Sequence, residues 1–234
     1  WGLSELRVVC VRDKGGRTDA SRTLMITAHL GGPAPADAVP KVVGWEVPPE
    51  SKTGNPAPRR LDLAPFLSPQ ALAEQAVDLN LRLMRWRAAP SLDTGRVSAA
   101  KCLLLGAGTL GCAVARTLLA WGVRHVTFVD SSRISFSNPV RQSLFEFEDC
   151  LQGGKPKAEA AAAALKRIFP SVMAEGRALT IPMPGHPPGN DTVADSMRQD
   201  VEALDALVAA HDAVFLLTDT RESRWLPSLL AAAH

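Results

Sequence analysis

A glycine-rich segment between an apolar run and an amphipathic run constrains the fold of this chain more than any other feature. Residues 106–111 have the sequence GAGTLG, which fits the pattern G-x-G-x-x-G. The preceding run Lys101–Leu105 predicts a buried strand, and the apolar spacing from Leu110 to Trp121 predicts a helix. In this context the first glycine permits a tight turn, the second lets backbone approach a phosphate, and the third allows close helix–strand packing. The segment therefore predicts a nucleotide-binding β-α-β unit.

An acidic residue at the end of the next predicted strand supports this interpretation. The run His125–Val129 predicts that strand, and Asp130 follows it directly. A carboxylate roughly 20 residues after the last glycine is where such a unit accepts hydrogen bonds from ribose hydroxyls. NAD and ATP fit the unit equally well, so these residues leave the nucleotide open.

The chain after residue 100 continues to alternate between strand and helix. Lys157–Phe169 predicts an alanine-rich helix ended by Pro170, and apolar residues from Val193 to Val208 predict another helix. Ala213–Leu217 predicts a further strand that is buried on both faces. We therefore predict an α/β fold with a doubly wound, mostly parallel sheet of the Rossmann type.

Two strand-like runs open the chain. Leu6–Val11 and Thr23–Leu30 predict strands joined by a turn at Gly15–Gly16. From Gly31 to Pro65, frequent prolines and glycines predict no regular structure outside the apolar run Val42–Val47.

The change of composition predicts a domain boundary near residue 65. We expect residues 1–65 to be the tail of an N-terminal domain with a Pro/Gly-rich connector, and residues 66–234 to be a nucleotide-binding domain. The chain begins with Trp1 and stops at His234 without a helix-stop signal, so we also expect it to be a piece of a longer protein.

A further helix is predicted between the connector and the first strand of the sheet. Apolar residues recur on it at spacings of four and three residues and form one stripe, namely Leu72, Ala76, Leu79, Leu83 and Trp86. Pro90 ends the helix. The stripe is compatible with the pairing of two copies and equally with an ordinary core.

Composition and charge exclude several classes of protein. Hydrophobic residues make up 46% of the 234 residues, so the chain is not intrinsically disordered. Its 26 basic residues nearly balance 24 acidic ones, which argues against a nucleic-acid partner. No apolar run approaches the ~20 residues that a transmembrane helix needs. Four cysteines without a C-x-x-C pair indicate neither a disulfide framework nor a zinc site, so we expect a reducing, cytoplasmic setting.

Charged residues after the second strand distinguish between the two nucleotides. Arg141 lies in SNPVRQ (137–142), Lys155 and Lys157 lie in GGKPK (153–157), and Asp219 follows a predicted strand. Cations can offset the charge of a triphosphate and a carboxylate can hold its Mg²⁺, whereas a dehydrogenase needs neither. Each residue also has an ordinary alternative, with Arg141 and Lys157 as surface cations and Asp219 as an N-cap. Together they favour ATP with Mg²⁺.

The order of these motifs resembles a known family. GAGTLGC, FVD, SNPVRQ, GGKPK and TDTRES follow the order found in the adenylation domain of ubiquitin-like-modifier activating enzymes and of bacterial relatives in molybdopterin and thiamine biosynthesis. Longer stretches, including VDLNLRLMRWR, WGVRHVTFVD and VFLLTDTRESRWLP, are similar to the autophagy branch of that family. The resemblance extends from about Val39 to the end of the chain, with a weaker match over the first thirty residues.

The resemblance implies an activity in two stages. Enzymes of this family bind ATP with Mg²⁺, and the C-terminal glycine carboxylate of a ubiquitin-like modifier attacks the α-phosphate to give an acyl-adenylate and pyrophosphate. A cysteine then takes the acyl group as a thioester and passes it to a conjugating enzyme. For this chain the resemblance implies ubiquitin-like autophagy modifiers as substrates, conjugating enzymes as partners, and a homodimer. It also implies that residues 66–234 are an ATP-binding adenylation domain truncated at its C-terminal end, with the thioester cysteine beyond His234.

The resemblance further implies which residues bind the nucleoside and the phosphate loop. Asp130 would bind the ribose, and Asn138 and Gln142 would position the adenosine. The glycines that would form the phosphate-side loop are Gly106, Gly108 and Gly111.

Three other positions correspond to residues that act on the phosphates. Arg141 would contact the triphosphate, Lys157 would stabilise charge on the α-phosphate, and Asp219 would hold Mg²⁺ bound through ATP. Lys155 is close enough in sequence to exchange roles with Lys157, and it is included among the predicted nucleotide ligands. An arginine early in the domain can reach a partner subunit's nucleotide in this family. Arg85 and Arg87 are candidates, and a solvated basic helix face is an equally good interpretation of both.

The cysteines of the chain itself are not predicted to be nucleophiles. Cys102 and Cys112 fall in predicted buried elements, and the carboxylates beside Cys150 disfavour its thiolate. Two other functions stay open from the residues alone. One is a NAD-dependent oxidoreductase, favoured by the glycine motif with Asp130, and the other is a non-catalytic interaction module that keeps the nucleotide fold.

Overall fold

The computed structural model describes residues 4–10, 13–14, 17–18, 24–29, 31, 42–46, 57–61 and 64–234. The chain divides into two compact units, Trp1–Pro65 and Phe66–His234.

Six strands are described in the first unit, and they form three antiparallel pairs, β1 with β4, β2 with β3, and β5 with β6. Their bounds are β1 (Glu5–Cys10), β2 (Asp13–Lys14), β3 (Arg17–Thr18), β4 (Leu24–His29), β5 (Val42–Glu46) and β6 (Ala57–Leu61). The two strands predicted at the start of the chain are confirmed as β1 and β4. The predicted turn at Gly15–Gly16 lies outside the described residues.

The strand β6 contradicts one prediction. We expected no regular structure between Gly31 and Pro65 outside Val42–Val47, yet Ala57–Leu61 pairs with β5. Pro58 lies opposite Trp45 in this register. Each strand of a two-stranded pair has one edge that makes no ladder hydrogen bonds, so a proline without an N–H is accommodated there.

The remaining elements contain the predicted alternation of strand and helix. They are α1 (Ala64–Leu67), α2 (Pro69–Ala88), α3 (Thr94–Ala99), β7 (Lys101–Leu105), α4 (Thr109–Ala120), β8 (His125–Val129), a 3₁₀ turn (Phe147–Cys150), α5 (Lys157–Ile168), β9 (Met173–Arg177), α6 (Asp191–Ala209), β10 (Ala213–Leu216) and α7 (Arg221–Ala233). The strand predicted before the glycine loop and the helix predicted after it are both confirmed, and their bounds agree to within a residue or two.

Four parallel strands form the sheet of the second unit, in the order β10-β7-β8-β9. β7 has β8 on one side and β10 on the other, so the chain reverses its direction of winding between β9 and β10. The predicted fold class, a doubly wound parallel α/β sheet, is therefore confirmed. Such a reversal opens a crevice at the carboxyl ends of the strands, which is where sheets of this kind bind ligands.

The core lies on both faces of this sheet. On one face Cys102, Leu104 and Phe128 pack with buried residues of α4 and α5. On the other face Leu103, Leu105 and Val129 pack with Leu204 and Val208 of α6. Alternate residues of β7 thus serve opposite layers, which explains why that strand is apolar throughout.

Helix α2 forms where predicted and ends before Pro90, but its apolar stripe faces outward. Leu72, Leu79, Leu83 and Trp86 are all exposed, with Trp86 76% accessible. The helix instead packs through Val77 and Leu81, of which Leu81 is buried. The interpretation of the stripe as ordinary core is therefore wrong for this chain.

The elements that were not predicted include α3, β9 and the full extent of α7. β9 has the sequence MAEGR, in which only Ala174 is fully buried. It lies at the edge of the sheet, so it lacks the apolar pattern of a central strand. No helix within the described part of the chain is both long and apolar enough to cross a membrane.

Candidate functional site

The glycine loop joins β7 to α4 at the carboxyl end of the sheet. Gly106 has a φ of +117°, a conformation that side-chain-bearing residues rarely adopt. Its N–H donates to the carbonyl oxygen of Val129 at 2.8 Å, which ties the loop to β8. A Cβ on Gly106 would lie 3.0 Å from the carbonyl of Leu217, at the end of β10. The loop therefore touches both neighbouring strand ends.

The other two glycines meet different surroundings. A Cβ on Gly111 would lie 2.1 Å from the carbonyl oxygen of Gly106, which no side chain can tolerate. A Cβ on Gly108 would have no atom of the described residues within 4 Å. The third glycine thus allows the close packing that was predicted, and the second borders open space where a ligand group fits.

The N-terminus of α4 faces this open space. Gly108 is the N-cap of the helix and supplies no side-chain hydrogen bond to its first N–H groups. Uncapped N–H groups at the start of a helix of this length favour an anion. The residues present therefore fit a phosphate group.

Arg141 approaches the same helix end from the segment after β8. Its Nη1 donates to Oγ1 of Thr109, the first residue of α4, at 2.6 Å. The side chain is otherwise exposed. Residues 32 positions apart in sequence thus bring a fixed positive charge to the uncapped helix terminus.

The carboxylate of Asp130 binds the backbone of the glycine loop. Its Oδ2 accepts from the backbone N–H of Ala107 at 2.8 Å, and its Oδ1 accepts from the N–H of Ser132 at 2.8 Å. The hydroxyl of Ser132 also donates to Oδ1. Each carboxylate oxygen has two lone pairs, so Oδ2 retains one acceptor position beyond the loop contact. The ribose contact stays a prediction.

Asn138 and Gln142 lie inside the turn that carries Arg141. They are 4% and 2% exposed, respectively. Oδ1 of Asn138 accepts from the N–H of Ser135, and its backbone carbonyl accepts from the N–H groups of Arg141 and Gln142. Oε1 of Gln142 is buried and has no hydrogen-bond partner among the described residues. These contacts build the turn, and the predicted contacts with adenosine stay untested predictions.

Lys157 is the first residue of α5, and its N–H donates to the carbonyl oxygen of Ser132 at 3.0 Å. Its ammonium has no hydrogen bond or ion pair with any described residue. Burial raises the pKa of the Cys112 thiol on the first turn of α4, and the charge of Lys157 lowers that pKa while the charge of Asp130 raises it. Lys157 and Asp130 therefore both lie near the start of α4.

Lys155 is held differently, because its Nζ lies 2.8 Å from Oδ1 of Asp149. The Asp149 side chain is only 9% exposed, and its Oδ2 accepts from the N–H of Glu146 at 2.9 Å. Burial alone would raise the pKa of this carboxyl. The hydrogen bonds from Lys155 and Glu146, with the nearby charges of Lys155 and Arg167, outweigh burial and hold the pKa below its ordinary value.

Asp219 follows β10 directly and is exposed. The N-cap of α7 is Thr220, whose hydroxyl accepts from the N–H of Ser223 at 3.2 Å. The alternative interpretation of Asp219 as an N-cap is therefore wrong. Its carboxylate makes no hydrogen bond with any described residue, which leaves both oxygens available to a ligand.

Arg224 is a residue of this region to which the sequence assigned no role. Its Nε donates to the carbonyl oxygen of Thr218 at 2.8 Å, and its Nη2 also reaches that oxygen. Thr218 immediately precedes Asp219, and its N–H would lie 3.2 Å from a Cβ on Gly106. Arg224 thus ties the start of α7 to the strand end that carries Asp219, which lies beside the glycine loop. An arginine five residues after a strand-end acid is the signal that the sequence offers.

A cleft of about 190 Å³ lies beside the glycine loop, and two of the predicted site residues, Gly106 and Asp130, line it. Its lining residues come from the glycine loop, the ends of β8 and β10, the segment after β9 and the start of α7, and they are Gly106, Val129, Asp130, Ser131, Leu179, Thr180, Ile181, Met183, Thr218 and Ser223. A larger cavity of about 550 Å³ lies between β9 and α6. It contains none of the predicted site residues, so the smaller cleft is the candidate nucleotide site.

The three cysteines of the second unit are all buried. Cys102 and Cys112 are buried in the core, as predicted, and burial raises the pKa of both. Cys150 ends the 3₁₀ turn and is also buried. Within the described ranges, no group of three or more His, Cys, Asp or Glu side chains could hold a metal ion.

A comparison with models of known protein families finds one family that matches this chain. The model of the family described as "ThiF family" matches residues 80–234, which is more than half of the chain. This chain belongs to the ThiF family. The match includes the glycine loop, both lysines, Arg141 and Asp219.

Curated relatives are similar over the whole chain. "Ubiquitin-like modifier-activating enzyme ATG7" of Homo sapiens is 54% identical over 238 residues, which is 100% of this chain and 33% of the relative. The protein of the same name from Cryptococcus neoformans var. neoformans is 54% identical over 98% of this chain and 33% of its own length. The chain thus spans about a third of the length of the curated relatives it matches.

Among solved structures, Escherichia coli MccB with ATP is 28% identical over 38% of this chain and 25% of its own, with a TM-score of 0.36.

Proposed function

We propose that this chain is the ATP-binding part of an enzyme that activates ubiquitin-like modifiers of autophagy. One observation carries the proposal. In a ThiF-family chain similar throughout to ATG7, an uncapped helix N-terminus opens onto free space at Gly108, with Arg141 fixed beside it. Such an arrangement suits the phosphates of a nucleotide.

The proposed reaction joins two anions. The C-terminal glycine carboxylate of the modifier attacks the α-phosphorus of ATP, the bond to the β-phosphate oxygen breaks, and pyrophosphate leaves. The product is an acyl-adenylate. Because both reactants are negatively charged, the protein contributes mainly orientation and charge stabilisation, and it needs no side-chain base.

Each side chain has a defined part in this proposal. The N–H groups at the start of α4 and the Arg141 guanidinium bind the triphosphate, and Oδ2 of Asp130 accepts from a ribose hydroxyl. The Lys157 ammonium, which no described residue neutralises, stabilises negative charge on the α-phosphate as it is attacked. Asn138 and Gln142 hold the turn on the adenosine side.

The free carboxylate of Asp219 fits Mg²⁺, which prefers one or two carboxylates together with water and phosphate oxygens. Mg²⁺ bound there would neutralise charge on the triphosphate. Arg224 keeps this carboxylate next to the loop by holding the carbonyl of Thr218.

The later steps belong to the complete protein. We propose that a cysteine outside this chain takes the acyl group as a thioester and passes it to a conjugating enzyme. We also propose a cytoplasmic homodimer, supported by the exposed stripe Leu72, Leu79, Leu83 and Trp86 on α2. Charge substitutions at Leu79 and Leu83 should then convert the dimer to a monomer, measured by light scattering of the complete protein.

Modifier-dependent exchange between pyrophosphate and ATP tests the proposed reaction. The complete protein should catalyse exchange, and Lys157→Ala and Asp219→Ala should each lower the rate about 100-fold or more, as expected for groups that act on transition-state charge. Lys166→Ala on the exposed face of α5 is the matched control and should retain the wild-type rate. Exchange that survives both site substitutions would overturn the assigned roles.

Calorimetric titration separates the proposal from the two alternatives. We expect binding of ATP with Mg²⁺ and no competition by NAD. Preferential binding of NAD would identify an oxidoreductase, and a folded protein that binds neither nucleotide would be an interaction module.

A further inference from the structure

We infer that Lys155 does not bind the nucleotide and that its ion pair with Asp149 is a positioning device for Lys157. This inference rests on the proposed function, because it concerns how the lysine that acts on the α-phosphate is held in place. It assigns different tasks to two lysines that the sequence alone allows to exchange roles.

The first step of the argument is that the Lys155 ammonium is already engaged. It lies 2.8 Å from Oδ1 of a carboxylate that is 9% exposed. The Lys155 side chain is itself 61% exposed, but moving it to a ligand would leave the buried Asp149 carboxylate without its cationic partner. Arg167 lies 3.9 Å from Glu146 and is not within ion-pair distance of Asp149 in the structure, so it does not replace Lys155.

The backbone of Lys155 is fixed on two sides as well. Its N–H donates to the carbonyl oxygen of Asp149 at 2.8 Å, and its carbonyl accepts from the N–H of Ile134 at 3.0 Å. The preceding residue, Gly154, has a φ of +78°, and a Cβ there would lie 2.0 Å from the carbonyl oxygen of Ile134. The segment therefore has little freedom to move.

The third step connects this segment to Lys157. Pro156 lies opposite Arg133 in an antiparallel bridge, and the N–H of Lys157 donates to the carbonyl of Ser132 at 3.0 Å. Ser132 is bound in turn by Asp130, whose other oxygen holds the glycine loop at Ala107. The register of Lys157 relative to the phosphate loop is thus set by a continuous series of hydrogen bonds that ends at Asp149.

The experiment is a double-variant cycle in the complete protein, with kcat and KM for ATP measured by pyrophosphate exchange. The variants are Lys155→Met, Asp149→Asn and the two combined, with Lys166→Met on the exposed face of α5 as the control. Because the pair acts on transition-state geometry, each single variant should lower kcat about 10-fold and change KM less than about twofold. The combined variant removes both charges and should recover kcat to within about threefold of wild type.

The opposite pattern identifies a nucleotide ligand. If Lys155→Met raises KM for ATP about 10-fold or more, and the combined variant keeps that KM, Lys155 contacts the triphosphate and the inference is wrong. A wild-type kcat in Asp149→Asn also overturns it. The asparagine side chain of that variant keeps an oxygen that can accept from the N–H of Glu146, so Asp149→Asn tests the pair even where Lys155→Met fails to fold.

Thermal melting of the same variants separates this inference from the proposed function. If the wild-type protein shows no exchange at all, the proposed function fails, and the role of the pair in holding the segment is measured by melting alone. Each single variant should then melt about 5 °C or more below wild type, and the combined variant should recover most of the difference. Equal melting temperatures in all four proteins would rule out the positioning role.

Discussion

The Arg141 guanidinium donates to Oγ1 of Thr109 across 2.6 Å, although the two residues belong to different segments of the β-α-β unit. The contact fixes a positive charge at the start of α4 without capping the N–H groups of that helix. An exposed hydrogen bond of this kind contributes little to stability.

Arg141 should therefore matter for binding more than for folding. We expect Arg141→Ala to lower the affinity for ATP about 10-fold or more, since an Arg–phosphate contact is charge-assisted, and to leave the melting temperature unchanged. Titration calorimetry and thermal melting measure the two effects. Arg198→Ala, which removes an exposed arginine paired with Asp195, is the control. Equal ATP affinity in wild type and Arg141→Ala would contradict the assignment.

Two glycine substitutions should affect different properties, one the stability of the fold and the other the affinity for ATP. Gly111→Ala forces a Cβ to within 2.1 Å of the carbonyl oxygen of Gly106, so we expect it to destabilise the fold by about 1–3 kcal/mol or more. Gly108→Ala meets no atom within 4 Å, and its backbone conformation suits alanine. It should leave stability within about 0.5 kcal/mol and still weaken ATP binding, because its methyl group occupies the space for phosphate. Denaturant unfolding and ATP titration test both, and normal ATP affinity in Gly108→Ala would disprove the phosphate site.

Asp130 should stabilise the glycine loop independently of any nucleotide. Asp130→Ala removes the acceptors for two backbone N–H groups, and we expect it to lower the free energy of unfolding by about 1–3 kcal/mol. The amide of Ala107 should exchange its hydrogen faster as a result, measured by mass spectrometry or NMR. Ser132→Ala removes only a hydroxyl donor and is the control, with an expected loss below about 1 kcal/mol. Unchanged exchange at Ala107 in Asp130→Ala would show that the loop holds its shape without this carboxylate.

Asp149 should make stability depend on pH in the acidic range. Its pKa is held below the ordinary value of about 3.9, so the unfolded chain binds more protons there than the folded chain. The contribution is complete above the ordinary pKa and is lost as the pH falls through the folded pKa. The difference in melting temperature between wild type and Asp149→Asn should therefore shrink as the pH is lowered from about 6 to about 3. A difference in melting temperature that stays constant from about pH 6 to about pH 3 would contradict this contribution.

The two core thiols should resist alkylation in the folded protein. Burial raises the pKa of Cys102, with a further contribution from the charge of Asp212, and burial also raises the pKa of Cys112. Both are less than 4% exposed. Mass spectrometry after iodoacetamide at pH 7.5 should find Cys10, which is only partly buried, modified first, and the core thiols modified only on unfolding. Rapid labelling of Cys112 would contradict the packing described for α4.

The glycine loop was predictable because two of its three glycines, Gly106 and Gly111, meet a local steric requirement. Gly106 adopts a positive φ and Gly111 approaches a carbonyl, and both needs arise within a few residues of the motif. The role of Asp149 was not predictable in the same way. Its contact with Lys155 depends on an intervening turn in which Gln152, Gly153 and Gly154 all have positive φ, and a sequence pattern does not specify that turn.

The same limit explains the missed elements. β9 has the composition of a loop because only one of its faces is covered. Arg224 takes its role from a carbonyl acceptor at Thr218, and a backbone acceptor leaves no trace in the side chains. The exposed stripe on α2 was identified from its spacing, but spacing alone does not say which side of a helix faces the core.

The two edges of the parallel sheet differ in how they are protected. β9 carries Glu175 and Arg177, and charged side chains on an outer strand discourage the pairing of another chain. β10 has the sequence AVFL without a charge, is half-buried along its length, and has β7 as its one partner strand among the described residues. A further strand that extends this sheet would therefore pair with the free edge of β10. Its position would then be beside Asp219, which follows the carboxyl end of β10.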